Sequence, residues 1–165
     1  MRAAFRFALA GLALLPVASA QAIDLNEQFS LVITPTLVSD YRFSGISQTM
    51  GDPAAQLNVM LSHASGLYAG VWTSNVDFGH DDEARQELEY YAGYYWQISD
   101  AISLDTYFNH YTYPGEGQFN GSDFYATLDA YGFFVSGKHS VDNEQTTTSR
   151  SLGYHTELPQ EIGLE

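Results

Sequence analysis

From about residue 29 onward, apolar and polar residues alternate with the two-residue period of β-strands. In residues 56–61, for example, Leu57, Val59 and Leu61 fall on one face, because side chains two positions apart in a strand point the same way. No helical periodicity of useful length occurs in this part of the sequence. The predicted strands span residues 29–43, 55–62, 67–75, 87–96, 102–113, 124–130, 133–140 and 150–158.

The connections between these strands alternate in length along the chain. Long connections span residues 44–54, 76–86, 114–123 and 141–149, and short ones span 63–66, 97–101 and 131–132. Transmembrane β-barrels have long extracellular loops and short periplasmic turns, whereas a soluble sandwich has no reason to keep this order. The sequence therefore predicts an all-β fold, an antiparallel up-and-down transmembrane β-barrel of about eight visible strands.

The two faces of the predicted strands differ in polarity. We assign the apolar face to lipid, with Tyr41 and Phe43 at one end and Tyr94 and Trp96 at the other as interfacial aromatic residues. Ionisable side chains are costly in hydrocarbon, so the opposite face is predicted to line the lumen. For eight strands we expect a hydrogen-bonded plug, the alternative being a polar conduit or ligand pocket. The predicted polar network of the lumen comprises Asp40, Arg42, Glu89, Asp105, Asp129 and Lys138.

A five-residue pattern, Tyr-Ala-Gly-x-aromatic, occurs at residues 68–72 and again at 91–95, on two consecutive predicted strands. Glycine weakens a strand unless a neighbouring aromatic ring packs over the bare backbone. Because the aromatic residues and the glycine of each copy share one face, we expect them to fill the lumen together. The residues of this predicted packing are Tyr68, Gly70, Trp72, Tyr91, Gly93 and Tyr95.

The amino-terminal segment has the pattern of a secretory signal peptide. Arg2 and Arg6 lie at the start of an uncharged stretch, residues 7–17, which ends in small residues up to Ala22. Such a stretch is too short to cross a bilayer as a helix. We predict a signal peptide over residues 1–22, cleaved after Ala20 or Ala22. Residues 23–165 then form one domain, located in the outer membrane.

Charge and composition narrow the classes of function. The formal net charge is −14 and cysteine is absent, so neither nucleic-acid binding nor a thiolate metal site is expected. The acidic stretch at residues 77–83 could attract divalent cations, although it lacks the order of a dedicated calcium loop. The sequence contains neither a zinc-binding histidine spacing nor a nucleophile elbow. We therefore predict a protein that is not an enzyme and holds no cofactor.

Several segments together resemble the proteobacterial Gcw_chp family of conserved hypothetical proteins. They are SDYRFSGISQ at residues 39–48, GLYAGVWTSNVDFG at 66–79, EYYAGY at 89–94 and YTYPG at 111–115. The resemblance is clear over residues 34–115 and weak beyond. It implies an exported, barrel-like outer-membrane protein of unassigned activity, and it supplies no catalytic residues. Members typically run well past two hundred residues, so the resemblance also implies a chain truncated at its carboxyl end.

Two functions remain open from the sequence. The first is an outer-membrane barrel, structural or forming a narrow channel for small solutes, with lipid and the barrel assembly machinery as partners. The second is a soluble periplasmic barrel that binds an apolar ligand, in which the apolar face points inward. We also predict that the chain is a fragment, because it lacks a final strand ending in an aromatic residue. Its sheet should then be open, with segment 29–43 as an unpaired edge.

Overall fold

The computed structural model of the protein describes residues 21–79, 83–141 and 147–155. The strands in these ranges are β1 (Gln21–Asp24), β2 (Phe29–Val38), β3 (Arg42–Phe43), β4 (Ile46–Ser47), β5 (Ala54–His63), β6 (Leu67–Asn75), β7 (Gln86–Ser99), β8 (Ile102–Thr112), β9 (Gly121–Ala130), β10 (Phe133–Ser140) and β11 (Thr148–Tyr154). Nine of these described strands form one antiparallel sheet in the order β1-β2-β5-β6-β7-β8-β9-β10-β11, and β3 pairs with β4 in a separate hairpin. No helix among the described residues is long and apolar enough to span a membrane.

The predicted antiparallel all-β architecture is confirmed, and each main strand pairs with its neighbours in the chain. The sheet is open, as expected, because β1 and β11 form its two edges in the part of the chain that the structure describes. The prediction that segment 29–43 is an unpaired edge is wrong. β1 pairs with it from Ser30 to Ile33. Residues 156–158 of the last predicted strand lie outside the described residues, as do residues 1–20 of the predicted signal peptide.

The first predicted strand is too long, because the chain leaves the sheet after Val38. The Asp40 carboxylate accepts hydrogen bonds from the hydroxyls of Ser47, at 2.5 Å, and Thr49, at 3.2 Å. These bonds fold the segment back into the β3–β4 hairpin. Its two-residue turn places Ser44 and Gly45 at positive φ, which matches the twist of a tight hairpin.

The short connections fix the register of the strands they join. Tyr131 and Gly132, at φ 55° and 86°, form a two-residue turn between β9 and β10. Gly66, at φ 99°, ends the turn between β5 and β6, and a Cβ there would collide with the Tyr95 carbonyl oxygen. Glycine is required at position 66 on both grounds.

The sheet is curved so that one face is concave. The ring of Phe43, in the segment after β2, lies 5.1 Å from the Nζ atom of Lys138 on β10, the eighth strand in the order that begins with β1. Large apolar side chains are exposed on the convex face, Trp96 at 52% and Leu152 at 74%, for example. Buried polar side chains lie on the concave face, including Glu87 and Asp123.

The described parts of the long connections that follow β2, β6 and β8 pack together over one end of the concave face. Val76, Ala84 and Tyr113 form a buried apolar cluster. Backbone hydrogen bonds join the connections, for example from the Asp77 amide to the Gln48 carbonyl oxygen at 2.8 Å. We call this assembly the cap, and its apolar members are Tyr41, Val76, Phe78, Ala84, Tyr113 and Phe119. The cap and the concave face enclose most of the buried polar groups.

Candidate functional site

Two tyrosines of the repeated pattern pack over two glycines in reciprocal fashion. Tyr68 lies directly opposite Gly93, and Gly70 lies directly opposite Tyr91, in the antiparallel register of β6 and β7. A Cβ added to Gly93 would stand 2.5 Å from the Cζ and Oη atoms of Tyr68, and one added to Gly70 would collide with the Tyr91 ring. Each copy of the pattern therefore contributes one tyrosine that packs over the glycine of the other copy.

Each of these tyrosines continues past its glycine to the strand beyond. The Tyr68 hydroxyl donates to the Asp105 carboxylate on β8 at 2.6 Å, with β7 lying between them. The Tyr91 hydroxyl donates to Asn58 Oδ1 on β5 at 2.6 Å, with β6 lying between them. A residue with a Cβ at position 70 or 93 would block this path. One side chain thus connects three adjacent strands on the concave face.

The packing of an aromatic ring over a glycine of the neighbouring strand recurs along the sheet. Tyr111 packs over Gly121 between β8 and β9, and Phe134 packs over Gly153 between β10 and β11. The rings of Tyr107 and Tyr125 stack at a centroid distance of 4.6 Å. Aromatic rings therefore occupy much of the concave face from β6 to β11.

Glu87 anchors the cap to the sheet. Its buried carboxylate, on a residue 4% exposed, accepts hydrogen bonds from the hydroxyls of Tyr113, at 2.6 Å, and Tyr41, at 3.0 Å. Burial, reinforced by the Glu87 charge, raises the pKa of both tyrosines above the usual range. Both hydroxyls therefore stay protonated and able to donate. The prediction that Tyr41 faces lipid is wrong, since its ring also packs edge-on against Trp72 at 5.5 Å.

Asp123 is the most thoroughly satisfied acid of the interior. It is 2% exposed and accepts from the Ser140 hydroxyl at 2.6 Å and the Tyr125 hydroxyl at 3.3 Å. Its ion pair with Lys138 measures 3.1 Å. Lys138 was predicted in the lumen but Asp123 was not. The sequence held the information needed to pair Asp123 with Lys138. The two-residue turn at 131–132 sets the register of β9 and β10, and in that register these two residues are diagonal neighbours.

Glu89 and Asn109 form a second buried polar pair. The Asn109 Nδ2 group donates to Glu89 Oε2 at 2.9 Å. Asn109 is 4% exposed, and its Oδ1 atom accepts no hydrogen bond from any described residue. This amide oxygen faces a crowded interior that holds the Glu89 carboxylate. The strand pattern places Asn109 on the face predicted to line the lumen, but the pattern does not reveal that this residue is buried.

The remaining predicted lumen residues form separate pairs. Asp40 and Arg42 form an ion pair at 2.5 Å in the segment after β2. The pKa of Asp40 is lowered, chiefly by the Ser47 hydroxyl that donates to it and then by the Arg42 charge. Asp129 lies 3.2 Å from His155. The structure thus places the six predicted charges at several points of the concave face and its rim, rather than at one centre. Tyr95, from the repeated pattern, donates to Gln97 at 2.7 Å.

The described residues contain no group of three or more acids, histidines or cysteines arranged to hold a metal ion. Residues 80–82 of the acidic loop, where divalent cations were considered, lie outside the described residues. The buried carboxylates of Glu87 and Asp123 and the half-buried carboxylate of Asp105 each accept a hydrogen bond from a neighbouring hydroxyl. This arrangement holds side chains in place.

A family model described as "Bacterial protein of unknown function (Gcw_chp)" matches residues 25–163. The match covers the whole described sheet from the turn after β1 onward. Comparison with curated proteins and with solved structures found no match.

Proposed function

This chain belongs to the Gcw_chp family, and we propose that it is an outer-membrane protein whose convex face contacts lipid and whose interior is filled by its own side chains. In this proposal the protein is exported by its signal peptide and inserted by the barrel assembly machinery. Its role is structural, or that of a narrow passage for small solutes, and it is not enzymatic.

One observation carries the membrane assignment, namely the sorting of charges between the two faces. All five acidic residues of β2 and β5–β11 have side chains on the concave face. A charged side chain facing the middle of a bilayer costs roughly 2–4 kcal/mol for a basic residue and somewhat less for an acidic one. A soluble protein has no such reason to keep acids off its outer surface. The five residues are Glu87, Glu89, Asp105, Asp123 and Asp129.

The convex face supports the same proposal through its exposed apolar residues. Leu57, Val71, Tyr90, Phe108 and Leu128 are each between 39% and 49% exposed and follow one another across neighbouring strands. Contiguous exposed apolar surface of this kind marks an interface with a partner or a membrane. A soluble barrel that binds an apolar ligand would carry these residues on its concave face. The position of these apolar residues on the convex face therefore favours contact with lipid.

The filled concave face argues against a wide pore. Aromatic rings and paired charges occupy the interior, and the cap covers one end of it. Large porin barrels keep an aqueous channel by having many more strands. We therefore propose that any passage is narrow and that steady conductance is small.

Fractionation of cells that express the protein tests the membrane proposal. After a carbonate wash, the protein should remain in the outer-membrane pellet. Recovery with the periplasmic contents would contradict the proposal and favour the soluble barrel. Planar-bilayer recording of the purified protein then tests the filled interior, for which we expect little or no steady current. Large, porin-like current steps would contradict it.

A further inference from the structure

The convex face of β10 and β11 carries the single formally charged residue that the described strands β2 and β5–β11 direct outward, Arg150. Arg150 lies directly opposite Gly137, and His139 lies opposite Thr148 two pairs further toward the long connection after β10. Arg150 is exposed and makes no hydrogen bond or ion pair with any residue in the described ranges. On a face otherwise made of apolar and neutral polar side chains, such a cation needs an anion or water.

The surface around Arg150 forms a shallow groove. Phe124 and Ala126 of β9 line one side, Thr148 and Arg150 line the other, and Gly137 forms part of the floor. A Cβ at Gly137 would meet nothing closer than the Ser149 carbonyl oxygen at 4.0 Å, so the groove is open above this glycine. The groove therefore offers apolar walls beside a cationic group.

His139 adds a second polar group at the end of the groove nearest the long connection. Its Nδ1 atom is 3.0 Å from the Thr148 hydroxyl, which leaves Nε2 directed away from this contact. A guanidinium binds phosphate oxygens in a bidentate manner, and an imidazole can contribute one further hydrogen bond. Apolar walls suit the first carbons of an acyl chain. The guanidinium, the imidazole and the apolar walls together match a lipid with an anionic phosphate headgroup.

We propose that the groove formed by Phe124, Ala126, Gly137, His139, Thr148 and Arg150 binds the phosphate headgroup of an anionic membrane lipid. This inference rests on the proposed membrane location. In that location the groove lies toward the end of the sheet with the long connections, where headgroups meet the strands. Charge complementarity identifies the occupant, since the strand surface around the groove offers a cation and no acid.

The test uses the purified protein in mixed vesicles of phosphatidylcholine and phosphatidylglycerol. Flotation first shows whether the protein inserts. Native mass spectrometry after detergent extraction then counts the lipids that stay bound. The wild-type protein should retain phosphatidylglycerol in preference to phosphatidylcholine. Arg150→Gln should weaken that preference about ten-fold, the scale of one charge-assisted hydrogen bond. Arg150→Lys should keep part of it, because lysine retains the charge but not the bidentate geometry.

The matched control is Arg85→Gln, which removes the same charge from the connection between β6 and β7, and it should leave the preference unchanged. Equal retention by Arg150→Gln and Arg85→Gln would overturn the lipid site while leaving the membrane proposal intact. Complete displacement of the lipid by excess inorganic phosphate would also overturn it, because the apolar walls would then contribute nothing. Failure of the wild-type protein to float with vesicles would overturn the membrane proposal itself.

Discussion

Replacing Gly93 by alanine perturbs the concave face at a crowded point. The new Cβ would lie 2.5 Å from Tyr68 Cζ and Oη and 2.5 Å from the Thr106 carbonyl oxygen. The tyrosine ring can swing away, but only by giving up its hydrogen bond to Asp105. The Thr106 carbonyl belongs to the neighbouring strand and can move only with the backbone of β8. Both responses weaken the contact among β6, β7 and β8.

The size of the effect follows from these two responses. A lost hydrogen bond to a carboxylate costs about 1.5–3 kcal/mol, and forced displacement of packed groups adds about 1–3 kcal/mol. Alanine recovers about 0.5–1 kcal/mol, because glycine loses more backbone entropy in a strand. We therefore expect Gly93→Ala to lower the free energy of unfolding by about 2–5 kcal/mol.

Urea unfolding in vesicles of phosphatidylcholine alone, which lack the anionic lipid proposed for the groove at Gly137, measures this change through the fluorescence of the two tryptophans. Gly137→Ala is the matched control, since its Cβ meets nothing closer than 4.0 Å, and it should be neutral or slightly stabilising. In a Tyr68→Phe background, Gly93→Ala should cost less, because the hydrogen bond to Asp105 is already absent. Equal effects of Gly93→Ala and Gly137→Ala would refute the packing argument.

Three further changes test other parts of the molecule. Lys138→Met leaves Asp123 buried without its cation, so urea unfolding should show a loss of about 3–5 kcal/mol, and adding Asp123→Asn should restore part of it. Glu87→Ala removes the acceptor that holds the cap, so limited proteolysis should cut the long connections faster; an unchanged digestion pattern would speak against this anchor. Epitope tags at Gly117 should be reached by antibody on intact cells and tags at Ser65 should not, and equal labelling would rule out the proposed orientation.

The sequence predicted strands best where a tight turn precedes them. The predicted ranges 67–75 and 133–140 agree with β6 and β10 at both ends. Gly66 and Gly132 stand directly before these strands at positive φ, so the turn fixes where each strand begins. The alternation of polarity then assigns each side chain to a face, because the period of a strand is fixed at two residues.

Prediction failed where a side chain binds its own loop. The polarity pattern of β2 continues past Val38, so Tyr41 was assigned to the apolar face. The local bonds of Asp40 to Ser47 and Thr49 turn the chain away from the sheet instead. β1 was missed because four residues are too few to show a period. The Asn26 side chain, which accepts from the amides of residues 28 and 29, was the available turn signal.

The hydrogen bonds of the concave face were harder to predict because they join strands that are not adjacent in the sheet. The Tyr68–Asp105 and Tyr91–Asn58 bonds join strands that are second neighbours, and alternation within one strand says nothing about such pairs. They exist only because glycine leaves a gap in the strand between. Two medium-sized apolar residues could fill the volume of one glycine and one tyrosine, but they could not carry a hydroxyl across the intervening strand. The glycine and tyrosine together therefore join three strands as well as fill the concave face, and the repeated Tyr-Ala-Gly pattern places this constraint on two successive strands.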